Sequence, residues 1–272
     1  MKQSKSIRIL CECSIMVALS TVLSVLKLFE MPYGGSITLA SMLPVCVVAY
    51  RHGYKYGLGT ALVTAVIQML LGLKNFSYFT TPMSIIALAL FDYILAFLVF
   101  GLAGMFKKAV KNQSVALLSG ATVASVLRYV CHVISGCTVW AGLSIPTEAA
   151  LLYSLSYNAT YMVPETIIIA LTAGYLGSAL DFRFDIPRRI KSEKTDNLSS
   201  AALIGAGLVL LGALIADTIL VFSKLQDYTS GEFMILGLSD VNWLAVGITT
   251  AAALLVAAAL VVFAKYREKK SA

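Results

Sequence analysis

Residues 114–140 read "SVALLSGATVASVLRYVCHVISGCTVW". From Ser114 to Cys137 the run is long enough, as a helix rising 1.5 Å per residue, to cross the roughly 30 Å of hydrocarbon in a bilayer. Its one permanent charge is Arg128, with His132 one turn later and Trp140 just beyond the end. An arginine at mid-membrane costs on the order of 3 kcal/mol or more, so it is either paired or used.

The rest of the chain agrees with this reading. Of its 272 residues 59% are hydrophobic and 13% charged, and its mean hydropathy is +0.85. A soluble domain averages about 45–50% apolar and about 25% charged. The chain therefore reads as an all-α integral membrane protein with no separate soluble domain. Apolar runs fall near 9–28, 37–50, 54–73, 82–106, 114–137, 160–180, 199–223 and 241–265, which predicts eight spans. The second is short and contains Pro44, so it reads as tilted, broken or covered by its neighbours. The first is a retained span, because no A-x-A-like cleavage site follows it.

Cytoplasmic loops retain Lys and Arg. With the N-terminus inside, the inner segments hold 17 of the 21 basic residues and the outer loops only Lys27, Lys74 and Lys224, with Arg128 within a span. This alternation predicts a cell-membrane, multi-pass protein with N- and C-termini cytoplasmic. The net charge of +7 reports topology and contact with an anionic lipid bilayer, and no nucleic acid is called for. Composition breaks at 181–198, "DFRFDIPRRIKSEKTDNL", a polar, basic stretch that reads as a cytoplasmic linker. It divides a six-span body, 1–180, from a two-span C-terminal hairpin, 199–272, in which Asp217 is the one buried-looking charge.

Enzymatic and metal motifs are missing. No G-x-x-x-x-G-K-[ST] phosphate loop occurs, so the chain does not hydrolyse ATP by that route, and no H-E-x-x-H is present. Five cysteines, all in apolar runs and without a C-x-x-C, read as packing residues. No metal, cofactor or catalytic residue is predicted. The sequon at Asn158 lies against a span and is discounted. The intramembrane polar groups are Glu12, Asp92, Arg128, His132, Glu165 and Asp217, each a site or a paired charge by default.

Counted from the outer ends of their spans, Asp92 and Arg128 lie ten and nine residues in, roughly 14–15 Å deep. This predicts a structural charge pair, Asp92 with Arg128. His132 shares the face of Arg128 and sits about 6 Å nearer the outside, followed by Gly136 and Trp140. Tyr153, Asn158 and Glu165 arrive from the same side, and Pro164 marks a helix start or a kink. An interfacial aromatic belt explains Trp140, Tyr153 and Tyr161 but not the polar groups between them. The set reads as an outward-opening cavity suited to an aromatic, hydrogen-bonding, cationic small molecule.

Four ordered motifs, "PYGGSITLASMLPV" at 32–45, "DY" at 92–93, "RYVCHVISGCTVW" at 128–140 and "YSLSYNATYMVPE" at 153–165, resemble the thiamine-specific S-components of energy-coupling factor (ECF) transporters over about residues 7–180. The resemblance implies a six-helix S-component-like bundle that captures thiamine from outside and delivers it with a transmembrane coupling subunit and two ATPase subunits. It implies that His132 and Trp140 meet the ligand's rings and that Tyr153 and Asn158 meet the aminopyrimidine. Asp92, followed by Tyr93, stands where the family usually has glutamate, one methylene longer. Tyr33 and Gly34 stand where some relatives have a tryptophan. Ser14 and Ala18, four apart on the first helix, match the small-residue face that docks on the coupling subunit.

Other readings remain open: an S-component for another vitamin or a thiamine precursor, an intramembrane lipid-modifying enzyme using His132 and Asp92, or a scaffold with a buried pair. The nearly Lys/Arg-free outer face speaks against lipid-phosphate chemistry.

Overall fold

A computed structural model describes residues 2–31, 33–190, 197–225 and 235–271. Residues 191–196 of the expected linker and 226–234 of the last outer loop lie outside the described residues. Contacts divide the chain into two units, Met1–Ile190 and Lys191–Ala272.

The first unit opens with helix α1 (Lys2–Val25), then a small antiparallel hairpin of β1 (Lys27–Glu30) and β2 (Ser36–Thr38). Helices α2 (Leu43–His52) and α3 (Tyr54–Leu71) follow, separated by Gly53 alone. A 3₁₀ segment, Leu73–Tyr78, leads into a composite span made of α4 (Pro82–Leu88), a π segment (Ala89–Leu95), α5 (Ala96–Leu98) and a 3₁₀ turn (Val99–Leu102). Two long helices, α6 (Gln113–Thr138) and α7 (Glu148–Ala179), complete the bundle. The strand pair β3 (Leu180–Asp181) and β4 (Arg188–Arg189) closes the unit. The hairpin at 27–38 is the one outer feature that the apolar pattern does not announce.

Side chains at the helix entries satisfy the first free amides. Asn112 accepts from Val115 N, Thr147 from Ala150 N and Thr81 from Ser84 N. The Thr147 cap corrects the expected start of the sixth span near residue 160. Helix α7 begins twelve residues earlier, so Pro164 lies inside it rather than in its first turns. A proline there forfeits one ladder bond, which neighbouring helices in a membrane bundle accommodate.

Among the described residues six helices are long and apolar enough to cross a membrane: Lys5–Val25, Pro82–Lys107, Gln113–Thr138, Glu148–Ala179, Ala201–Leu225 and Trp243–Arg267. Helix α3, 18 residues long, reaches about 27 Å, close to the hydrocarbon thickness. Helix α2 has ten residues, about 15 Å, and is too short to span alone. Its residues Pro44 to Arg51 are all buried, so α2 is a core helix covered on every side. Backbones approach closely around it and beyond. A Cβ placed on Gly120 of α6 would come within 1.8 Å of the Ala103 carbonyl oxygen, so only glycine fits there.

Glu12 of α1 lies 2.5 Å from Arg51 Nε and 2.9 Å from His52 Nε2. Arg51 also donates to the carbonyls of Phe182, Phe184 and Asp185. Glu12 is thus a structural anchor that ties α1 and α2 to the turn after α7.

The second unit is a hairpin of α8 (Asn197–Leu225) and α9 (Trp243–Ser271). Its buried contacts include Ala202, Ala206, Ala253, Ala257 and Ala264, small residues that let two membrane helices pack closely. Asp217 is bonded by the hydroxyls of Thr249 and Thr250 from the facing helix.

Candidate functional site

One half of the first unit gathers the polar groups singled out above, with different partners from those expected. Asp92 lies in the π segment, a local widening of the helix often found at functional sites. Its Oδ1 is 2.9 Å from His132 Nδ1, and its Oδ2 accepts from Trp140 Nε1 at 2.8 Å. Arg128 Nη1 donates to Glu165 Oε2 at 3.1 Å and its Nε to His132 Nε2 at 3.1 Å. The expected Asp92–Arg128 pair is therefore corrected: the arginine's carboxylate is Glu165 of α7, and His132 stands between Arg128 and Asp92. The physical reason is direction, since equal depth places two groups at one level without pointing them at one another.

The charge cluster is anchored from below. Glu165 Oε1 accepts from the Thr38 hydroxyl at 2.6 Å, and Thr38 Oγ1 lies 2.9 Å from Ser41 Oγ. Ser20 of α1 donates to the Ser41 carbonyl at 2.6 Å. The guanidinium carbon of Arg128 stands 4.5 Å from the centre of the Phe97 ring. Arg128, His132 and Glu165 are all buried, and the two formal charges among them are paired, as burial requires.

Around this floor the aromatic side chains form a continuous ring. Trp140 meets Phe79 edge-on at 4.9 Å and Tyr78 at 5.7 Å. Tyr78 meets Tyr33 at 6.1 Å, and Tyr33 meets Tyr157 at 6.5 Å. Tyr157 meets Tyr161 at 6.2 Å, and Tyr161 meets the His132 ring at 6.2 Å. The circuit closes through Asp92, which bonds both His132 and Trp140. Tyr157 also clamps the hairpin tip: its hydroxyl accepts from Tyr33 N at 3.2 Å and donates to Gly34 O at 2.8 Å.

The remaining candidates take different places. Tyr153 is half-exposed and stacks on Tyr157 at 6.0 Å. Asn158 is buried behind the ring, with Nδ2 2.9 Å from Ser154 O and Oδ1 accepting from Tyr161 at 2.6 Å. Gly136 lets α7 in: a Cβ there would meet Ser154 Oγ at 2.1 Å. Tyr93 turns to the 73–78 segment, donating to Gly72 O and accepting from Asn75 at 3.0 Å each. Ser14 and Ala18 lie on the exposed face of α1, away from the cluster. Ser135 Oγ is buried without a partner among the described residues.

Sequence reasoning missed Tyr78, Phe79, Tyr157 and the anchoring role of Thr38. One signal was available. Tyr153, Tyr157 and Tyr161 recur every four residues and so share one helix face.

Three comparisons agree with one another. The family described as thiamine transporter protein (Thia_YuaJ) matches residues 10–182. The thiamine transporter ThiT of Bacillus subtilis (strain 168) is 35% identical over 205 residues, covering 71% of this chain and all of that protein. A solved structure of ThiT from Listeria monocytogenes superposes with a TM-score of 0.51 at 25% identity, covering 64% of this chain and 94% of that one. The named role of these relatives is transport rather than catalysis. With a match across well over half its length and a relative covered from end to end, the chain belongs to the thiamine transporter protein family.

Proposed function

We propose that this chain is the thiamine-binding S-component of an ECF-type importer. It takes thiamine from the outer face and passes it inward with a transmembrane coupling subunit and two ATPase subunits. The observation that carries this reading is the circuit of aromatic side chains that one carboxylate, Asp92, closes by bonding both His132 and Trp140. Thiamine joins a flat aminopyrimidine to a flat, positively charged thiazolium. Aromatic faces stack on the first and attract the second, by about 0.5–2 kcal/mol per cation–ring contact. Asp92 supplies the opposite charge beside His132 and Trp140, with Tyr153 stacked on Tyr157 and Asn158 holding Tyr161 from behind.

The topology and the partners follow from the same residues. The basic inner segments orient both termini to the cytoplasm, which places the 27–38 hairpin and the 73–78 segment outside, over the ring. The chain has no phosphate loop of its own, so uphill delivery needs separate ATPases. The exposed small residues Ser14 and Ala18 offer a face on which a coupling helix can dock closely. The hairpin of α8 and α9 lies beyond the family match, which ends at residue 182, and no role in capture is assigned to it.

Tryptophan fluorescence tests the proposal, since Trp140 and Trp243 are the chain's two tryptophans. Micromolar thiamine added to the folded, detergent-solubilised protein should quench Trp140. Trp140→Ala should weaken binding strongly and Trp243→Ala should not. No response in folded protein, or equal effects of the two substitutions, would overturn the assignment. Competition by the free pyrimidine moiety and by other vitamins separates thiamine from a precursor.

A further inference from the structure

The two bonds of Arg128 determine the state of His132. A guanidinium carries donors only and stays charged. Its Nε donates to His132 Nε2 across 3.1 Å, so that ring nitrogen must be the acceptor. An imidazole with one accepting nitrogen is neutral and carries its proton on the other. That other nitrogen, Nδ1, lies 2.9 Å from Asp92 Oδ1. The opposite tautomer would set a bare lone pair against a carboxylate and an N–H against a guanidinium N–H. An imidazolium would keep the second of these conflicts. Tyr161, whose ring lies 6.2 Å from the imidazole, directs its hydroxyl to Asn158 and does not compete.

The geometry points to Arg128 as a positioning residue that holds His132 as the neutral Nδ1–H tautomer, with that N–H aimed at Asp92. Both Asp92 oxygens then face N–H donors, His132 Nδ1–H and Trp140 Nε1–H, and the carboxylate is fixed in orientation as an acceptor. Glu165 accepts from Arg128 and Thr38, which pairs its charge with the guanidinium. The cluster is left with one net negative charge, on Asp92, beneath the aromatic ring. An imidazolium would cancel it. Arg128 thus sets the preference of the site for a cation without touching the ligand. This last step rests on the reading of the site as a thiamine pocket; the tautomer does not.

The test uses ¹⁵N-histidine-labelled full-length protein. The chain has two histidines, His52 and His132, and His52→Asn assigns their signals. The wild type should show His132 with a protonated, pyrrole-type Nδ1 and an unprotonated, pyridine-type Nε2. The variant is R128M/E165Q, in which both members of the buried pair are neutralised together so that no lone charge is stranded. It should lose that signature, and thiamine affinity should fall about ten- to a hundredfold, the worth of a hydrogen bond to a charged group. Arg128→Lys, which keeps a charged donor, should restore the signature. A wild-type His132 that reads as Nε2–H or as imidazolium overturns the inference. So does an unchanged signature in the folded double variant. A wild type that binds no thiamine would dismiss the thiamine reading, while the nitrogen shifts would still decide the tautomer.

Discussion

Asp92→Asn isolates the charge that the site offers a ligand. The amide is nearly isosteric with the carboxylate, so the substitution leaves the π segment and the surrounding rings in place. Two things change. One oxygen becomes an NH₂, which must face either His132 Nδ1 or Trp140 Nε1, now 2.9 and 2.8 Å from carboxylate oxygens. The negative charge also disappears. A cation seated about 5 Å from the carboxylate gains about 3 kcal/mol at an effective dielectric of about 20. Losing it weakens thiamine about a hundredfold. The assay is titration calorimetry on full-length protein, with thiamine and with its neutral aminopyrimidine fragment in parallel. Asp92→Asn should weaken thiamine about a hundredfold and the fragment about tenfold or less, the fragment reporting only the disturbed hydrogen bond. Asp92→Glu, which keeps the charge, should remain a thiamine binder. Equal losses for the cation and the neutral fragment would refute the electrostatic argument, as would a thiamine affinity within about threefold of wild type.

The other predictions concern the frame. Arg128→Met alone strands Glu165 in the interior and should cost about 3–5 kcal/mol in thermal unfolding, most of which R128M/E165Q should recover; equal costs would deny the pair. Gly120→Ala drives a methyl into the Ala103 carbonyl and should destabilise by about 3 kcal/mol. Gly59→Ala, where a Cβ meets open space, should stabilise α3 by about 0.5–1 kcal/mol. Arg183 beside Asp181 holds that carboxyl at about 2, below its ordinary 3.8. Its contribution is therefore present above about pH 4 and lost as pH falls through about 2. Carboxyl ¹³C titration should place the midpoint near 2 in wild type and higher in Arg183→Ala, which removes the guanidinium but keeps the backbone N–H bonded to Asp181. A chain ended after Ile190 should keep thiamine affinity within about threefold; a larger loss would draw the α8–α9 hairpin into the site.

How legible the site was depended on what each residue's neighbours determine. The membrane class was legible because it is a sum over many residues, and single errors average out. The placement of His132 one turn from Arg128 was legible because α6 is an unbroken helix from Gln113 to Thr138, so spacing in the chain is spacing in space; Trp140 stands two residues past its end. The extent of α7 was not, since "YSLSYNATY" has too many polar groups to read as a span and Pro164 looks like a start. What carries the helix back to Glu148 is a threonine cap and the burial of those polar groups against α6, as when Ser154 donates to Val133 O at 2.9 Å.

Asp92 shows the limit most clearly. Its depth could be counted from Pro82, and the count survives any change of helix type to within about a turn. Its direction could not, because the segment from Ala89 to Leu95 is a π-helix. Each extra residue in a turn rotates the following side chains by about 100° from where an α-helix would aim them. Counted depth put Arg128 and Asp92 at one level, yet Arg128 points to Glu165 and Asp92 to Trp140. His132 closes the gap because α6 keeps its own phase, placing the imidazole one turn above the guanidinium. The buried charges are thus arranged in series, Glu165 to Arg128 to His132 to Asp92, rather than as the facing pair that depth implied. A series can do what a neutral pair cannot. It pairs the arginine's charge with Glu165 and leaves Asp92 between His132 and Trp140, beside the aromatic side chains.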